Sequence, residues 1–98
     1  MLSLFNRAYE IRPLNRKDDI DLLGQAEFKP GIIWINPDIA PPLKARTILH
    51  ELIHQGLADM GVAYAEDEGI VGNIEFLIFH IIQDNPSLIK DLSKPWQS

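Results

Sequence analysis

Arg46-Thr47-Ile48-Leu49-His50-Glu51-Leu52-Ile53-His54-Gln55 is the stretch on which the reading of this chain turns, because it contains His-Glu-x-x-His. On an α-helix, residues four apart lie one above the other on the same face. His50 and His54 can then reach a single metal ion, with Glu51 one step round the helix beside it. A zinc hydrolase needs this set: two neutral imidazoles on the metal, and a carboxylate to take a proton from the attacking water.

The residues around the motif predict its helix. Pro41-Pro42 opens it, since proline is tolerated in a first turn, and Gly61 stops it just after Met60. Ala45, Ile48, Leu49, Leu52, Ile53 and Met60 form a broad apolar arc on the wheel. His50 and His54 fall just beyond one edge of that arc, near Leu43 and Thr47, where core meets solvent and a cleft would lie. Lys44, Gln55 and Asp59 form the polar side.

Upstream, Ile32-Ile33-Trp34-Ile35-Asn36 is the strongest strand, rich in β-branched and aromatic residues. Lys29-Pro30-Gly31 is a turn signal that joins it in a hairpin to the extended stretch from Leu22 to Phe28. Tyr9-Glu10-Ile11-Arg12 alternates and is ended by Pro13, which predicts a third strand. Residues 1–6 read as an arm and the charged run at 16–21 as solvated surface. Downstream, Glu66-Asp67-Glu68 starts a second helix that runs to about Asp84, where Asn85-Pro86 breaks it. Ile70, Ile74, Leu77, Ile78, Ile81 and Ile82 make its apolar face. Residues 87–98 form a C-terminal tail, in which 87–92 add a helical turn and Trp96 covers an edge of the core. The expected fold is α+β: a small three-stranded antiparallel sheet, then the motif helix, then a second helix packed on it, a minimal zincin-like domain.

Composition narrows the function. Ninety-eight residues with 46% apolar content make one domain with a small core. The absence of cysteine removes disulfides, thiolate zinc sites and a cysteine nucleophile, and fits the cytoplasm. A net charge of −5 without a basic cluster argues against nucleic acid, because phosphate contacts need Lys and Arg. No apolar run is long enough to span a bilayer, and no basic-then-apolar leader is visible. No feature encodes an oligomeric state.

A catalytic zinc usually takes three protein ligands and keeps an open position. The third would be a carboxylate from the second helix: Glu66, Asp67, Glu68 or Glu75. Glu68 is preferred, since it lies in the first turn on the flank of the packing face, with Gly72 permitting close approach of the two helices. Glu75, on the same flank but two turns deeper, is the runner-up. Glu66 and Asp67 suit capping and the helix dipole, and His80 lies about a third of a turn off the Glu68 flank. Arg46 and Tyr64 are weak candidates for a further oxyanion donor.

The run from Gly31-Ile32-Ile33-Trp34-Ile35 through Leu49-His50-Glu51-Leu52-Ile53-His54, then Glu68-Gly69-Ile70-Val71 and Gln83-Asp84-Asn85-Pro86, resembles the small phage and prophage metallopeptidase-like proteins. These are similar to the ImmA/IrrE-type gluzincin peptidases. The resemblance covers roughly residues 22–86. It implies His50, His54 and Glu68 as ligands of one Zn2+ and Glu51 as general base, acting on a peptide or protein substrate. The longer metzincin pattern is absent, with Leu57 and Met60 where its Gly and third His would stand, and Glu75 replaces the small residue common in the resembling proteins. The alternative is a metal-binding or interaction module that keeps the fold without turnover; a purely structural helical domain would bind no metal.

Overall fold

A computed structural model describes residues 2–5, 7–14, 23–27 and 29–94. In chain order these form β1 (Leu2–Leu4), β2 (Arg7–Pro13), β3 (Gly24–Glu27), β4 (Ile32–Ile35), α1 (Pro41–Asp59), α2 (Glu68–Asp84) and α3 (Pro86–Leu92). The α+β class and the β3–β4 hairpin are as expected. The sheet is not three-stranded and antiparallel. It has four strands among the described residues, in the order β1-β2-β4-β3. β1 pairs antiparallel with β2, but β2 runs parallel to β4, with Ile11 opposite Ile33. Residues 2–4, expected as an arm, are therefore the outer strand of the sheet. The positive φ of 53° at Phe5 lets the chain reverse immediately after them. The charged run at 16–21 and Trp96 lie outside the described residues.

β4 is internal: Ile32, Ile33 and Ile35 are buried and Trp34 is half-buried, as a continuous Ile-Ile-Trp-Ile run leads one to expect, and Ile33 is fully enclosed. Tyr9, Ile33 and Ile35 form the core with Leu2, Leu4, Ile39, Ile48 and Leu52 packed on them. Tyr9 also fixes the far end of α1, its hydroxyl donating to Asp59 at 2.5 Å, while Arg7 bridges the same carboxylate at 3.1 Å. Burial, and then the Asp59 contact, hold the phenol pKa above its ordinary value, so the proton stays on the donor.

α1 starts at Pro41-Pro42 and closes in a Schellman motif. Gly61, at φ 73°, donates to Ala58, and Val62 donates back to Leu57. Its apolar arc is only partly the buried face. Thr47, Glu51, His54, Gln55 and Gly56 are the buried residues, whereas Met60 is exposed. Gln55, placed on the polar side by the wheel, is fully enclosed. The reason is β3, which crosses that side of the helix: Gln55 Nε2 donates to the Glu27 carbonyl at 2.9 Å. At the other end of the strand Gly24 meets Thr47. A Cβ on Gly24 would lie 2.6 Å from Thr47 Cγ2 and 3.0 Å from the Trp34 carbonyl oxygen. Gly24→Ala must push β3 off the helix. It is expected to lower stability by about 1–3 kcal/mol, as overpacking does, read as a fall in Tm.

α2 is capped by Asp67, whose side chain accepts from the Ile70 amide at 3.0 Å, the capping role expected for it. The loop before it is anchored by buried Ala65. Its apolar face is largely uncovered: Val71 is its buried residue, while Ile70, Leu77, Ile81 and Ile82 are exposed. α3 extends the predicted helical turn of the tail into a separate short helix after Asn85-Pro86. No helix among the described residues is long and apolar enough to cross a membrane.

Candidate metal centre

His50 and His54 stand one turn apart on α1, their rings 5.0 Å apart between centroids and crossed at 69°. Glu68, the first residue of α2, reaches over them. Its Oε1 lies 3.6 Å from His50 Nε2 and in close contact with His54 Nε2. One ligand atom from each of His50, His54 and Glu68 falls within 4.8 Å of the others. Ligand atoms about 2.1 Å from a tetrahedral ion stand about 3.4 Å from one another, so the His50–Glu68 spacing suits one ion. Two imidazoles and a carboxylate are a donor set for a divalent transition ion. The group could hold a metal ion.

The far nitrogens of both rings also have partners. His54 is buried, and its Nδ1 lies 2.7 Å from the Ala65 carbonyl oxygen. A carbonyl can only accept, so Nδ1 is the donor in this contact, and Nε2 is the nitrogen that faces Glu68 and would ligate an ion. The α1–α2 loop thereby sets the tautomer that a metal ligand needs. His50 Nδ1 faces Glu75 Oε1 at 3.7 Å.

Glu51 sits between the two histidines on the buried side of α1. Its pKa is raised, chiefly by burial and further by the charge of Glu68, against the opposing pull of His54 and His50. A carboxylate pushed upward is suited to accept a proton near neutrality. Glu51, His50 and Glu68 line a cleft of about 490 Å3, with Leu43, Arg46 and Thr47 along its α1 side and Leu23 and Gly24 at its rim. β1 lies at the opposite side of the sheet from β3, so the N-terminal strand does not cover the cleft.

Of the four acids weighed as third ligand, Glu68 is the one that joins the two histidines. Glu75 does not: it faces the opposite nitrogen of His50 and is held there by Arg46. Arg46, bonded to Glu75 and stacked over Phe79, is committed to α2 rather than to an oxyanion. Tyr64 is exposed in the loop, and His80 packs on Phe76 and Phe79 away from the cleft. Sequence reasoning missed the Arg46–Glu75 pair, for which the signal was an arginine one turn before His50 and an acid two turns after Glu68. It also missed β3 as the strand beside the site. β3 meets Thr47 at Gly24 and Gln55 at Glu27, so it runs alongside the helical segment that carries His50 and Glu51. No protein-family model, curated protein or solved structure matches this chain.

Proposed function

We propose that the chain is a zinc-dependent peptidase-like hydrolase of the gluzincin kind, similar to the ImmA/IrrE-type proteins. The convergence of His50, His54 and Glu68 from two helices carries this reading, with Glu51 beside them at the wall of an open cleft. His50 and His54 would hold the ion through Nε2 and Glu68 through Oε1. A divalent ion so held polarises a carbonyl and makes water a stronger acid. Glu51 would take the proton of the attacking water and pass it to the leaving amine, and its raised pKa favours the first of these transfers.

The substrate would be an extended peptide. β4 is enclosed between β2 and β3 and offers no free edge to it. β3 is the other outer strand of the sheet among the described residues, at the edge opposite β1, and borders the cleft at Gly24. A peptide added antiparallel or parallel to β3 would run past Glu51, with main-chain bonds supplying affinity.

The test is metal content of protein purified without a histidine tag, followed by hydrolysis of a peptide library. About one zinc per chain is expected, lost in His54→Ala and weakened in Glu68→Gln, with cleavage products in the wild type. Stoichiometric zinc with no cleavage would instead support a binding module. No uptake of Zn2+ on titration would sink both and leave a small structural domain.

A further inference from the structure

Glu75 is an acid without a place in the ligand set, yet it is among the better enclosed carboxylates of the chain. Its side chain is 13% exposed, against 75% for Glu68. Its two oxygens are divided. Oε2 accepts from both Arg46 Nη2 at 2.7 Å and Arg46 Nε at 3.2 Å, and Oε1 faces His50 Nδ1 at 3.7 Å. The Arg46 guanidinium is fixed in turn over the Phe79 ring, 4.4 Å from its centroid. Arg46, His50 and Glu75 thus form one chain of contacts between α1 and α2 that ends on the nitrogen opposite the ligating one.

We infer that Arg46 and Glu75 are positioning residues for His50, acting through its Nδ1. This rests on the metal-binding reading above. A histidine bound to a metal through one nitrogen commonly donates the proton of the other to a carboxylate or carbonyl, which fixes the ring and makes it a stronger ligand. His54 has a backbone carbonyl for this; His50 has Glu75. At 3.7 Å the contact is longer than a hydrogen bond. Such bonds are often long before the ligand arrives and tighten when it does. Arg46 supplies the constraint. By holding Oε2 with two donors it turns Oε1 toward the imidazole and keeps Glu75 from swinging onto the ion as a fourth ligand. It also offsets one negative charge in a site where Glu51, Glu68 and Glu75 crowd together.

An interhelical salt bridge of purely structural value is the competing account, and metal affinity separates the two. Full-length wild type, Glu75→Gln and the double variant Arg46→Met/Glu75→Met are titrated with Co2+, read by visible d–d absorption, and their metal-free forms are melted. The methionine pair replaces both charges with apolar chains of similar length, so α2 keeps its packing. Loss of a carboxylate of this kind typically costs 10–100-fold in metal affinity. A loss of about that size is expected in the double variant, a smaller one in Glu75→Gln, each with a changed d–d envelope and with the metal-free helix content unchanged. Equal affinity and an unaltered spectrum in both variants overturn the inference alone. So does weakened binding accompanied by loss of helix, which is the structural account. Failure of the wild type to take up Co2+ overturns the metal reading and this inference together.

Discussion

Glu51→Gln is expected to do two opposite things: remove hydrolysis and raise stability. The activity should fall by about 10²–10⁴-fold, the usual contribution of a positioned general base. Metal uptake should be retained, since His50, His54 and Glu68 remain. The stability effect follows from burial. Folding raises the Glu51 pKa, so the folded chain holds that proton more tightly than the unfolded one. The favourable contribution of protonated Glu51 is complete below the ordinary carboxylate range. It is lost as pH rises through the raised, folded value. At neutral pH, above the unfolded value, an ionised Glu51 therefore costs stability, and a neutral isostere removes that cost. Melting of the metal-free proteins at pH 7 should show Glu51→Gln above wild type, by about 4–8 °C for each ~1 kcal/mol of burial cost removed in a domain of this size. The gap should close as pH is lowered into the range where Glu51 is protonated. A variant that loses activity but melts below wild type at neutral pH would show that Glu51 serves the fold, and would remove the argument for a carboxylate kept there at a cost.

The motif helix was legible because its limits are chemical. Proline at its start, glycine at its end and histidines four apart leave little freedom, and α1 runs from Pro41 to Asp59 as those signals require. The second helix was legible for similar reasons at Asp67 and Asn85-Pro86. Glu68 could be singled out because the phase of α2 follows once the helix start is known. The sheet was less legible. β1 is three residues long, too short for alternation to register. The parallel pairing of β2 with β4 depends on a long-range connection that local pattern does not encode. Gln55 shows the same limit on α1. A helical wheel assigns it to solvent, but a wheel knows nothing of the strand laid across that face. Glu75 could be read only as the runner-up ligand, because sequence gives the flank of a helix and not which of the two nitrogens of His50 that flank meets.

Zn2+ is expected to raise Tm steeply, and the effect should be concentrated in α2. This helix has little apolar adhesion to the rest of the chain: Val71 is its buried residue, while Leu77 is 60% exposed. Its polar contacts with α1 are the Arg46–Glu75 bridge and those of Glu68 with His50 and His54. Glu68 is mostly exposed, so its contacts with the two histidines add little holding force in high dielectric. An ion shared by His50 and His54 on α1 and Glu68 on α2 converts that loose contact into a crosslink between the helices. Binding to the folded state alone stabilises by about 4.1 kcal/mol at a thousandfold excess over Kd. For a domain of this size that is a rise in Tm of about 15–30 °C. Hydrogen exchange should show where the gain lies: amides of α2 protected strongly on Zn2+ addition, those of β4 already protected without it. Glu68→Gln should retain part of the effect and Glu68→Ala little, because α2 then no longer contributes to the site. Zn2+ bound with full stoichiometry but with α2 exchanging at an unchanged rate would mean that the ion sits on α1 alone. Glu68 would then be an ordinary acid at a helix start.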